Sequence, residues 1–408
     1  DTASAGDDTA SAGDDTASPL RTTPLHGLHV EMGAKMTAFA GYDMPVWYTS
    51  VADEHLAVRS GAGVFDVTHM GVFEASGAGA ETFLDAVTTN DVTTLAVGES
   101  HYTYFLGTDG VPLDDLMIYR LGAQQFLIVV NAANNDKVWA WLNAVREGIV
   151  RIDTAQPWRR LAGGDRFTLR DLRAESSGAD RRVDIALQGQ KSRDVLSALG
   201  GDDLKRVLGL AWAGVTRATL GGFDLIISRT GYTGERIAYE LFVHPNQAEA
   251  LFRALIANGA TPCGLAARDS LRTEAGLPLY GHELGGAYRL NPADAGFGSY
   301  VKLWKPFFIG KAAFVAHERE RVAEVTRFRL EKKGARPPHA GDRIVDEQGT
   351  QIGVVTSCSI DSERYQLGQA YLREHMLREG TRVWVQRDGG TPEPAVILSR
   401  FPTAKKSP

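Results

Sequence analysis

The chain is 408 residues long, with 43% hydrophobic and 23% charged residues and a formal net charge of −6, the make-up of a soluble globular protein large enough for two or three domains. Asp1, Asp7, Asp8, Asp14 and Asp15 lie in the first eighteen residues without a Lys or Arg, which leaves the rest near neutral and gives no reason to expect nucleic acid or a membrane as partner. Two cysteines, Cys263 and Cys358, lack the spacing of a metal or redox motif, so a disulfide framework is excluded; with no transmembrane-length apolar run and no secretory signal, a cytoplasmic protein is expected.

Residues 1–18 repeat DTASAGD twice and end in DTAS, an acidic, apolar-poor text expected to form a disordered tail. A short amphipathic stretch follows at Leu25–Met32, then helical spacing at Val51–Arg59 and strand-like alternation through Gly63–Gly71. Glu81–Val87 reads as a helix. Tyr102–Leu106, Leu116–Tyr119 and Phe126–Val130 read as strands, and Asn134–Val145 as an amphipathic helix, which together suggest an α+β sheet domain.

The Arg-rich stretch 156–182 reads as a hairpin or insertion with a solvated face, since Asp165, Asp171 and Asp180 interleave with its arginines. A strand at Val183–Leu187, a helix at Lys191–Leu199, two strands about Gly221-Gly222 within Thr219–Arg229, a strand at Tyr239–Val243 and a helix at Gln247–Asn258 follow, the order of a ferredoxin-like unit. Helical spacing returns at Leu265–Ala275, a Gly/Pro-rich crossing follows, and a short helix is expected near Lys311–Glu318. From about Ala323 short strands with Gly-containing turns indicate a small β-barrel or sandwich. The expected domains are thus 19–155 together with 260–320, 156–259, and 321–408.

Several signatures fail on inspection. His282-Glu283 would need a histidine where Gly286 stands, Thr82 occupies the third glycine of a dinucleotide fingerprint after Gly77-Ala78-Gly79, and Gly310-Lys311 lacks the rest of a phosphate loop. No G-x-S-x-G elbow appears either, and these absences argue against nicotinamide, nucleotide and serine-hydrolase chemistry. In GVPLDDLMIY (110–119) two carboxylates enter a strand, where Asp114 and Asp115 must point to opposite faces; an inward carboxylate is costly to bury unless something uses it. Tyr102, Asn131, Tyr232, Glu240 and the group Arg268, Asp269, Arg272 and Glu274 also stand on otherwise apolar elements. Alone, each has a plain structural reading, and the last four suit a helix-surface ion network.

Read together, TPLHGLHVEMGAKMTAFAGYDMPVWY, AVRSGAGVFDVTHMG, GVPLDDLMIY, VVNAAN, SRTGYTGE, GLAARDSLRTEAGLPLYG, FIGKAAF and IGVVTS resemble, in collinear order from Thr23 to Pro402, the glycine cleavage T-protein (aminomethyltransferase) family. The resemblance implies three domains in a ring around a central channel for tetrahydrofolate. It implies Asp115 as the catalytic carboxylate, with Asp114 the outward partner, and Arg268 facing the reacting end, its fork held by neighbours such as Asp269. Glu240 and Asn131 would read the pterin edge, Tyr102, Tyr119 and Tyr232 would line the ring, and Met70 would pack on it. The implied donor is an aminomethyl group on the lipoyl arm of a carrier protein (H-protein), with ammonia released.

The chain departs from the family pattern at ERIAYE, which carries one extra residue before Glu240, at HELGGAYRLNP, at Tyr300 and at TSCSIDSERYQL with Cys358. Folate-side segments are mostly kept and donor-side ones altered. An alternative is therefore a relative that demethylates a small N-, O- or S-methylated compound; a non-enzymatic folate-binding protein ranks below both.

Overall fold

The computed structural model describes residues 19–161 and 163–402; the expected tail, 1–18, lies outside them. Two antiparallel-rich sheets and a closed barrel carry the fold, which is α+β as expected. The first sheet has the strand order Ser100–Leu106, Pro112–Gly122, Gln125–Val130, Gly71–Ser76, Thr168–Asp171. The second runs Val215–Leu220, Phe223–Ser228, Ala238–Val243, Val183–Gln188, Gly63–Asp66, Thr261–Cys263, with only the last pair parallel. No helix among the described residues is long and apolar enough to cross a membrane.

Alternation of side chains gives each sheet two apolar faces. On the first sheet Phe73, Phe105, Leu116, Ile118 and Ile128 pack under the helices Ala80–Val87 and Asn135–Arg146. On the second, Val64, Ile185, Leu187, Ile227 and Leu241 pack under Ser192–Leu199 and Pro245–Ala257. The opposite faces meet: Val72, Tyr119, Leu127 and Val129 of the first sheet form one cluster with Val215, Ile226 and Phe242 of the second. The two sheets are therefore stacked between outer helices.

This stacking corrects the expected boundaries. Strands Gly63–Asp66 and Thr261–Cys263, expected in the first domain, extend the second sheet, while Thr168–Asp171, expected in the second, closes an edge of the first. The alternating stretch 63–71 is also not one strand: Asp66 accepts the Thr68 N–H at 2.9 Å and its hydroxyl at 2.7 Å, a turn that ends the strand before a new one starts at Gly71. A hairpin of Lys35–Phe39 and Tyr42–Trp47 and a helix at Leu204–Leu208 were not anticipated.

The C-terminal strands Ala323–Leu330, Arg343–Val345, Gln351–Ile360, Gln366–Arg373, Arg382–Gln386 and Glu393–Leu398 close into a barrel around Phe328, Ile344, Val355, Leu372 and Val385. The helix Leu265–Glu274 packs on Val51–Ser60 on one side and on the barrel strands Gln351–Ile360 and Gln366–Arg373 on the other. It thereby ties the second sheet to the barrel.

Candidate active site

The strand Pro112–Gly122 is entered through a turn at Gly110, whose positive φ of 79° favours glycine. Leu116 and Ile118 face the outer helices, so Asp114 does too, while Asp115, Met117 and Tyr119 face the other sheet. Asp114, expected to be the outward partner, structural or solvated, is 0% exposed. Its Oδ2 takes the Asn131 N–H at 3.0 Å, and its Oδ1 takes the side-chain amides of Asn131 at 2.8 Å and Asn134 at 2.7 Å. The first sheet is covered on both faces, so Asp114 has no solvated side and Asp115 keeps only partial exposure. Burial, and then the neighbouring charge of Asp115, push the Asp114 carboxyl above its ordinary value.

Asp115 is half-buried on the inner face. It accepts the Tyr102 hydroxyl at 2.7 Å and the Asn131 side-chain amide at 2.7 Å, and burial raises its pKa against those hydrogen bonds. Tyr102 is itself held edge-on between Tyr104, at 5.0 Å between ring centres, and Tyr300, at 5.1 Å. The amide hydrogens of Asn131 are spent on the two aspartates, so only its Oδ1 is left for a ligand. Asn131 was expected to read a ring edge; holding the aspartate pair is its observed work.

Tyr119 lies four residues beyond Asp115 on the same face, roughly 13 Å along the strand at ~3.3 Å per residue. It is wholly buried, so it does not line an open space as expected; its hydroxyl donates to Glu240 Oε2 at 3.0 Å. The Thr230 hydroxyl donates to the same oxygen. Glu240 is half-buried on Ala238–Val243, opposite Ser228 and Ala186. That register is regular, so the extra residue of ERIAYE is absorbed in the loop before the strand.

Tyr232 donates to the Pro278 carbonyl, and the Arg268 guanidinium lies over its ring at 4.8 Å from the centre. Asp269, the expected partner of Arg268, is instead taken by Arg272 at 2.6 Å. Stacking on Tyr232 orients Arg268. Just behind Gly231 a Cβ would come within 2.1 Å of Gln188 Oε1, so only glycine lets the Tyr232 loop approach the second sheet. Met70, half-buried, follows the Asp66 turn and packs both on the inter-sheet cluster and on the cluster beneath helix Leu265–Glu274.

With this geometry in hand, the comparisons are consistent with one another. A model of the GCVT N-terminal domain matches residues 25–305. The aminomethyltransferase of Herpetosiphon aurantiacus is 40% identical over 339 residues, covering 83% of this chain and 86% of that protein. That of Saccharopolyspora erythraea is 39% identical over 390 residues, covering 93% and 98%. The chain belongs to the GCVT (aminomethyltransferase) family. Among solved structures, the glycine cleavage system aminomethyltransferase T of Bartonella henselae superposes with a TM-score of 0.79 at 31% identity, over 93% of this chain and 97% of that one.

In this GCVT-family chain some contacts of consequence were not anticipated. Arg272 and Glu283 form an ion pair at 2.9 Å with side chains 1% and 0% exposed. Glu283 also takes the hydroxyls of Thr356 and Ser357, both at 2.6 Å, and Ser357 accepts from Arg272 at 2.9 Å. The pair thus fastens helix Leu265–Glu274 to the barrel. Glu274 meets Arg59 at 2.8 Å and Ser362 at 2.8 Å. Both findings correct the expected helix-surface network, in which only the Asp269–Arg272 contact is internal to the helix. Glu283 had been read only as part of a failed zinc motif, and Thr230 only as text beside Tyr232.

Proposed function

We propose that the chain is an aminomethyltransferase that moves a one-carbon unit from the lipoyl arm of a carrier protein to tetrahydrofolate, with release of ammonia. The observation that carries this reading is the Asp115 carboxylate, fixed by Tyr102 and Asn131 on the inner face, at the other end of the strand face from Glu240. The family and the shared name of its relatives support it. Nothing among them favours the demethylase alternative.

The residues present suit a folate. Glu240 is half-buried with its protein donors on one oxygen, Oε2, so it can accept from adjacent ring N–H groups. Tyr102, Tyr232 and Met70 are half-buried and offer flat and adaptable apolar surface for the ring. Bound tetrahydrofolate supplies the amines that accept the carbon. Asp115, kept in one position by two hydrogen bonds, stabilises positive charge developing beside it, and the scarcity of water there strengthens that effect. Arg268, set over Tyr232, places a fixed cation at the same site.

The test is turnover with tetrahydrofolate and aminomethyl-loaded carrier protein, against a panel of small methylated donors. Ammonia release with methylene-tetrahydrofolate from the carrier alone supports the proposal. Tight folate binding without that turnover, or methyl-tetrahydrofolate from a methylated donor, overturns it.

A further inference from the structure

Asp184 is a buried acid that this mechanism does not use. It stands on Val183–Gln188, whose residues Val183, Ile185 and Leu187 join the helix-side core. It therefore points to the inner face, opposite Phe242 and diagonal to Glu240, which pairs with Ala186. Its side chain is 0% exposed, and among the described residues neither carboxyl oxygen receives a hydrogen bond. A bare carboxylate in that position would bear the whole cost of burial.

The carboxyl that shares this face and stands diagonal to Asp184 on the neighbouring strand is that of Glu240. Two carboxylates have no hydrogen to share unless one of them is protonated. Glu240 already accepts from Tyr119 and Thr230 as an ionised group would, whereas Asp184 accepts from nothing. The proton therefore belongs on Asp184.

We propose that Asp184 is a neutral acid that donates its proton to a hydrogen bond with Glu240 and so acts as a positioning residue, the third donor fixing the carboxylate that meets the N–H edge of the bound ring. The inference rests on the reading of Glu240 as a folate-binding group. Facing Asp184 on the inner side are Glu240 from Ala238–Val243 and Tyr119 from Pro112–Gly122, while the charges of Arg268 from Leu265–Glu274 and of Asp66, whose side chain bonds His29 on the helix-side face, also act on it. Burial, then the charge and hydrogen bond of Glu240, and also Asp66, raise the Asp184 pKa; Arg268 works against them. The arrangement leaves one net negative charge at the ring edge where two carboxyls stand.

Two variants test it in the full chain. Asp184→Asn keeps an N–H donor towards Glu240 and cannot ionise; Asp184→Leu keeps the approximate volume and removes the donor. Infrared difference spectra at neutral pH should show the carbonyl band of a protonated carboxylic acid in the parent chain that both variants lose. Tetrahydrofolate titration should show Asp184→Asn within about threefold of the parent and Asp184→Leu weaker by about tenfold or more, the effect of one hydrogen bond to a charged group. Because the buried acid gives way to an apolar side chain of similar shape, so that the lost hydrogen bond is offset by a lower burial cost, the unfolding midpoint of Asp184→Leu should stay near the parent's. An unchanged acid band, a leucine variant that binds as tightly as the parent, or an asparagine variant as weak as the leucine one overturns the proposal. If the parent chain binds no tetrahydrofolate at all, the functional reading fails instead, and the infrared result still decides where the proton sits.

Discussion

Tyr102 donates its phenolic hydrogen to Asp115 across 2.7 Å from the neighbouring strand. A hydrogen bond to the ionised form lowers a carboxyl pKa, and here it opposes the upward push of burial. In Tyr102→Phe the Asp115 pKa should rise. A rate that needs the carboxylate is lost as pH falls through that pKa, so the acid limb of the pH–rate profile should move to higher pH. The rate at neutral pH should fall about tenfold. A pH profile of kcat for both chains checks this.

The acid limb of the parent chain should itself lie above the ordinary aspartate value of ~3.9, because burial raises Asp115. Titration of kcat with saturating acceptor measures it. A limb below that value would mean that Asp115 is not the group being titrated.

Glu240→Gln keeps the shape but removes the charge that Tyr119 and Thr230 support. Tetrahydrofolate binding should weaken by ~1.5–3 kcal/mol, the range for a hydrogen bond to a charged group. Calorimetric titration reads the change directly.

The Arg272–Glu283 pair is sealed between helix and barrel, so Glu283→Ala should take away the buried carboxylate of the guanidinium, leaving it only the more exposed Asp269, and cost about 3 kcal/mol of stability. Burial alone would raise the Glu283 pKa, but Arg272 and the hydroxyls of Ser357 and Thr356 outweigh it and hold the carboxyl below its ordinary value. The unfolded glutamate binds protons at higher pH than the folded one. This contribution is therefore fully present above the unfolded value of ~4.3 and lost as pH falls through the folded one. Denaturant melts of the parent and of Glu283→Ala across the acid range should converge at low pH.

How much of this was legible in the sequence varied with the kind of feature. The period of two in PLDDLMIY puts Asp114 and Asp115 on opposite faces, and they are. That both faces are covered depends on a second sheet built from residues 63–66 and 183–263, which no local pattern reveals; hence Asp114 was given an outward place, structural or solvated. The same blind spot hid Asp184, because an acid inside an apolar strand reads as a residue on a wet face. Thr168–Asp171 is a short, half-exposed edge strand in an Arg-rich stretch, and Thr261–Cys263 is three residues long with Pro262 in the middle. Neither carries enough alternation to be read as a strand, so the domain limits were misplaced. The barrel strands and the helix Lys311–Glu318 were readable because turn residues and apolar spacing agree there. Arg268 was given the wrong neighbour because sequence adjacency favoured Asp269, while the helix turns Arg272 towards it at three residues' spacing.

Asp115→Asn tests the central claim most directly. The change keeps the side chain's size and an oxygen that can accept from Tyr102, and it leaves Glu240, Tyr232 and Met70 untouched. With aminomethyl-loaded carrier protein, kcat should fall by about 100-fold or more, the scale of a lost charged catalytic group, while tetrahydrofolate affinity stays within about twofold of the parent. Turnover equal to the parent's, or a loss confined to folate affinity, would contradict the placement of the chemistry at Asp115.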